Sequence, residues 1–135
     1  MEAEINWLAV LVSGLVLVAL GFVWYLPSVF GRAWMGELGM TQEQAAEGWS
    51  GGVLVWTVIG ALAKALVLAI IVAWSGAEGA LEGLLVGLLI GIGLLLVNNS
   101  IRDTYEQRSA RLSLITSGND VVGSGLAGVI LGAWM

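Results

Sequence analysis

Two ionisable residues of this chain stand where charge is costly. Lys64 lies inside the apolar run from Val53 to Trp74, and Asp120 lies inside the apolar run that closes the chain. At the centre of a membrane helix either residue costs ~2.5–3.5 kcal/mol on insertion scales, so such residues face a partner or a cavity and mark ion pairs, proton relays or solute paths. Other polar residues recur around them at helical spacing. Thr57, Gly60 and Lys64 fall at i, i+3 and i+7, which places them on one helix face. Ser113, Ser117, Asp120 and Ser124 make a second stripe, with Thr116 beside it. Asn98 follows Gly91 by seven residues and is expected on the glycine face of its own helix.

Depth points to a pairing. Asp120 is eight residues past Leu112, about 12 Å into its helix at the rise of an α-helix. Lys64 is twelve residues past Gly52, about 18 Å deep by the same measure. A lysine stem closes most of that difference, and no other acid is comparably deep. The first expectation is an ion pair that pins two helices together. Breaking such a pair is expensive, although keeping it adds little net stability. The alternative is a proton, ion or solute path lined by Lys64, Asp120, Ser117, Ser124, Thr57 and Asn98. A contact from Lys64 to another subunit or to a lipid headgroup is the third.

Composition narrows the chemistry further. Of 135 residues 59% are hydrophobic and 11% charged, about half the charged share of a soluble domain. The chain has no cysteine and no histidine, so it lacks a thiolate nucleophile, a disulfide framework and the commonest general base and metal ligand. No phosphate-binding glycine loop, catalytic triad or metal cluster is present. We expect no enzyme, no cofactor and no metal. With five Lys and Arg spread over the chain there is no basic patch for nucleic acid.

Four stretches are long enough to cross ~30 Å of hydrocarbon: residues 5–26, 52–74, 81–101 and 112–134. In lipid the backbone must satisfy itself within each segment, so all four are helices. The prediction is an all-α membrane protein, a single transmembrane domain over residues 1–135 arranged as an antiparallel up-down bundle. Pro27 ends the first span, and Ser75 to Gly79 turns the second into the third. The acidic start, Met1 to Glu4, has neither the positive n-region nor the cleavage site of a secretory signal, so the first span is expected to be retained. Arg32 lies between spans one and two, and Arg102, Arg108 and Arg111 between spans three and four, with no Lys or Arg in the other connections. The positive-inside rule then puts loops 27–51 and 102–111 in the cytoplasm and both termini outside. Trp7, Trp74 and Trp134 would anchor the outer interface, and Trp24, Trp34 and Trp49 the inner one. Trp56 lies deeper and is expected to pack. In the first cytoplasmic loop Phe30, Trp34 and Leu38 recur at i, i+4 and i+8, the pattern of a short interfacial helix. Thr41 and Gln44 have the spacing of a capping box that starts another.

Small residues line the spans. Gly83, Gly87 and Gly91 form a doubled G-x-x-x-G, and Gly128 and Gly132 another. Helices in lipid associate through such close approach, within one chain or between chains.

Several of these strings resemble a known family. Ile5 to Val10, Trp24-Tyr25 with Pro27, Phe30-Gly31, Ala33-Trp34-Met35 and Leu38-Gly39 are similar to small prokaryotic membrane proteins of the domain of unknown function 1761. Leu81-Glu82-Gly83, Leu112 to Gly118 and Gly128 to Trp134 continue the likeness over nearly the whole chain. The resemblance implies a four-helix inner-membrane protein and no activity. In the family pattern the stretch after Gly118 is mostly apolar or aromatic, so Asn119-Asp120 departs from it and the resemblance does not imply a Lys64–Asp120 pair for the family as a whole. The functional expectation is a packing or assembly component, as a homo-oligomer or a small subunit of a membrane complex. The alternative is a small transporter or channel built on the polar residues.

Overall fold

The structure is a computed structural model that describes residues 4–134; most of the acidic start of the chain lies outside them. Four long helices carry the fold: α1 (Trp7–Trp24), α4 (Gly51–Ser75), the pair α5 (Ala80–Ile90) and α6 (Val97–Tyr105) joined by a π-helical stretch, and α7 (Ala110–Ala133). The four are long and apolar enough to cross a membrane, and no strand occurs among the described residues. Asn6 caps α1 by accepting from the Ala9 N–H at 3.1 Å, Ser50 caps α4 through Val53 N–H, and Ser109 caps α7 through Leu112 N–H. Each hydroxyl or amide oxygen satisfies a donor that the first turn leaves open.

The loop between α1 and α4 is helical too. Pro27–Gly31 forms a π turn closed by the Gly31 N–H on the Leu26 carbonyl at 2.9 Å. A Cβ at position 31 would run into the Tyr25 and Leu26 carbonyls, so this turn accepts only glycine. Two short helices follow, α2 (Arg32–Leu38) and α3 (Gln42–Glu47). Both bonds of the capping box at Thr41 form: the Gln44 N–H donates to the Thr41 hydroxyl at 3.2 Å, and the Thr41 N–H to the Gln44 side chain at 2.9 Å.

The third span is longer than the sequence suggests. It continues without a break from Ala80 to Tyr105, about 39 Å at the α-helical rise. Arg102 and Asp103 therefore stand on a helix, and the connection to α7 shrinks to residues 106–109. The order of packing also differs from the order of the chain. α7 is central, with α1 and α4 on one side and α5 on the other. α5 packs chiefly on α7 and touches α4, its neighbour in sequence, only lightly. The Gly79 N–H bonds the Gly132 carbonyl at 3.1 Å, tying the α4–α5 turn to the end of α7.

Small side chains make both contacts of α7. Where α1, α4 and α7 meet, Ala9, Ala65 and Ala127 are fully buried, with Val72 and Leu131. On the other side a Cβ built on Gly83 would strike the Gly128 carbonyl, and one built on Gly128 would strike the Gly83 carbonyl. Gly87 meets the Ser124 carbonyl, Gly91 meets the Val121 Cα, and Gly132 meets the Gly79 carbonyl in the same way. The α5 and α7 backbones thus touch directly along the half of the bundle away from the arginines. These glycine grooves serve a contact within one chain.

Candidate functional site

The buried polar contacts gather between α6 and α7, in the half of the bundle that carries the arginines. Asn99, not Asn98, points into this seam. Its side-chain nitrogen donates to the Asp120 carboxylate at 2.8 Å and lies 3.4 Å from the Ser117 hydroxyl. Asn99 is 8% exposed and Ser117 fully buried, whereas Asn98 is exposed. An ionised carboxylate only accepts, so the amide must turn its NH2 toward it.

The reason for the change from Asn98 to Asn99 is the π-helical stretch Gly91–Leu96. A π turn fits one more residue into the turn than an α-helix does. Beyond it the face is shifted, and the residue that follows Gly91 on the α7 side is the eighth rather than the seventh.

One turn farther along α6, Asp103 is 2% exposed. Its Oδ1 is 3.3 Å from Arg102 and 3.9 Å from Arg108, and Arg108 also reaches Glu106 at 2.9 Å. Its Oδ2 is buried without a protein partner. Position 103 falls in the stretch 102–111 that the sequence leaves as a loop, whereas the helix that carries it runs on to Tyr105. The signal that finds it is the i, i+4 spacing from Asn99 once residues 97–105 are read as helix.

Lys64 does not join this group. It is exposed on α4, and among the described residues no carboxylate stands within ion-pair distance of it. The buried face of α4 is Ala61, Ala65, Leu68, Ala69 and Val72, and Lys64 falls to its side. The expected Lys64–Asp120 pair does not form: Lys64 is exposed at the side of α4, and Asp120 is bonded to Asn99 across the α6–α7 seam. Thr57 bonds its own helix, donating to the Val53 carbonyl at 2.8 Å. Ser124 supplies backbone and Cβ surface to Gly87 and Gly91. Of the six residues expected to line one polar site, the structure brings together Asp120 and Ser117, and adds Asn99.

The tryptophans also divide. Trp7, Trp49, Trp74 and Trp134 are exposed, and so is Trp56, which was expected to pack. Trp34 meets Tyr25 edge-on at 5.4 Å, and Trp49 stacks on Phe22 at 5.4 Å. Trp24 packs inward rather than serving as an interface anchor alone. Its indole N–H donates to the Ile115 carbonyl at 2.8 Å, its ring lies 4.5 Å from Phe30, and it covers Gly118. Trp24→Phe keeps an aromatic side chain but loses that bond and part of the ring volume over Gly118, so a loss of about 1–2 kcal/mol is expected, measured by thermal unfolding in detergent. Beside Trp24 an open groove of ≈380 Å³ runs along Leu114, Ile115 and Arg111. Glu37 ties its edge to α7, accepting from the Ser109 hydroxyl at 2.7 Å with Arg111 at 3.9 Å.

Residues 8–132 match the family described as protein of unknown function (DUF1761). The chain belongs to that family. No curated protein and no solved structure matches it. The family description assigns no activity, so the reading of the site rests on its geometry. Asn99, Ser117 and Asp120 satisfy one another between two helices, and beyond Asp120 the α5–α7 contact passes into the glycine-backbone approach. A seam of this kind holds helices in register.

Proposed function

We propose that this multi-pass membrane protein is non-enzymatic and works by packing, as a homo-oligomer or as a small subunit of a larger membrane complex. The observation that carries the reading is Lys64, a charge in the middle of a span that is exposed beside the buried face of α4 and has no carboxylate within ion-pair distance among the described residues. A lysine in that position is expensive until something outside the chain meets it. The closed approach of Gly83 to Gly128 adds support, because it leaves little room for a path through one chain. We place the protein in an inner (cytoplasmic) membrane with both termini outside, on the strength of Arg32, Arg102, Arg108 and Arg111.

Transport is the second reading. It is favoured by the seam from Asp103 through Asn99 to Asp120, which brings two carboxylates to one side of α7. Reconstitution decides between the two. Wild-type protein in liposomes is expected to show no proton or ion flux above empty vesicles, and to migrate as an assembly after cross-linking in native membranes. Flux that disappears in Asp120→Asn would overturn the packing reading.

A further inference from the structure

We propose that the outward side of α4 around Lys64 is the docking surface for a transmembrane helix of a different protein, one that carries an Asp or Glu near the middle of its span. The proposal rests on the assembly reading and adds the chemistry of the partner.

Lys64 is the fourteenth residue of the 25 in α4, so its Cα stands about 16–20 Å from either helix end. The half-thickness of the hydrocarbon is about 15 Å. A four-carbon stem covers only part of that distance, so snorkelling alone leaves the ammonium below the headgroups. The surface beside it is shaped for a helix. Gly60 is one turn away, and a Cβ built there would meet nothing within 4 Å. Ala63 is exposed next to it, and Trp56 and Val67 are 73% and 55% exposed. Small residues flanked by large ones let a second backbone come close in lipid.

Among the described residues no acid is offered to this lysine. Asp120 accepts from Asn99 on the inner side of α7, and Asp103 is buried beside Arg102. The remaining acids of the described residues lie in loops, in α2 and α3, or in the first turn of α5. A second copy docked symmetrically on this surface would set lysine against lysine, because a two-fold interface meets itself. Charge complementarity therefore selects a different chain with a carboxylate at matching depth.

The chain has no cysteine, so Ala63→Cys gives a single reporter on this surface. It is reconstituted in phosphatidylcholine vesicles with a synthetic Leu/Ala helix of about 25 residues, long enough to span, that carries one Cys and either Asp, Leu or Lys at its centre. With Lys64 intact, disulfide yield is expected to be about tenfold higher for the Asp helix than for the Leu helix, the size of an interhelical polar contact of 1–2 kcal/mol. In Lys64→Met the advantage should vanish. In Lys64→Glu it should pass to the Lys helix, which separates charge recognition from any loss of fold. Equal yields for the Asp and Leu helices with Lys64 intact would overturn the proposal. Dominant cross-links between two copies through position 63 would overturn it in favour of a self-interface. Neither outcome touches the assembly reading, which fails on Asp120-dependent flux or on the absence of a cross-linked assembly in native membranes.

Discussion

Gly87→Leu is expected to separate α5 from α7 and to cost about 3 kcal/mol or more, the upper part of the range for overpacked cores. The atoms that a Cβ at Gly87 meets are all backbone: the Ser124 carbonyl, its carbon at 2.8 Å, and the Gly125 Cα at 3.1 Å. No rotamer change relieves such a contact, so the helices must move apart along their length. That would open the neighbouring contacts of Gly83 with Gly128 and of Gly91 with Val121. Little hydrophobic gain offsets the separation, because lipid tails are as apolar as the leucines around the site. Gly93→Ala is the control. Nothing lies within 4 Å of a Cβ at that position, and its effect is expected to stay within about 0.5 kcal/mol. Equilibrium unfolding in mixed micelles compares the two. Equal effects would mean that α5 and α7 are not held by backbone contact.

Lys64 supplies a prediction whose sign separates two structures. Were it paired with Asp120, removing it would strand a buried carboxylate and destabilise the fold by about 3–5 kcal/mol. With Lys64 facing outward, Lys64→Met is expected to leave the stability of the isolated chain unchanged or to raise it, since a costly charge leaves the apolar surface. The same unfolding assay reads the difference.

The spans are legible in the sequence because lipid leaves the backbone only a helix or a closed barrel, and unbroken apolar runs of about 20 residues fit the helix. The capping box at Thr41 was legible because both of its bonds lie within four residues. The glycine stripe announced a close contact, and only the structure names α7 as the surface it meets. The candidate site was harder to read for two physical reasons. Depth along a helix follows from counting residues, but rotation about its axis follows from packing against neighbours, and Lys64 matched Asp120 in the first and not in the second. Periodicity also carries across a helix only while its pitch is constant. The π turn after Gly91 leaves no mark in a run of Gly, Ile and Leu, and it hands the inward position from Asn98 to Asn99. Asp103 lies beyond the expected span 81–101 for a related reason: the apolar run stops near Ile101 while the helix continues to Tyr105.

That displaced register can be tested directly, with the second large effect. Asn99→Leu is expected to cost about 2 kcal/mol, because it leaves the half-buried Asp120 carboxylate without its side-chain donor. The interhelical bond alone would be worth less, since hydrogen bonds between membrane helices average about 0.6 kcal/mol. The larger figure comes from the stranded charge. It follows that Asn99→Leu combined with Asp120→Leu should recover most of the loss, because removing both partners removes the unsatisfied group as well. Asn98→Leu, one residue away and exposed, should change stability by no more than about 0.5 kcal/mol. An uninterrupted α-helix from Ala80 to Tyr105 predicts the reverse, with Asn98 sensitive and Asn99 silent. The three variants, unfolded side by side in one detergent, thus measure whether the π turn sets the face that meets Asp120.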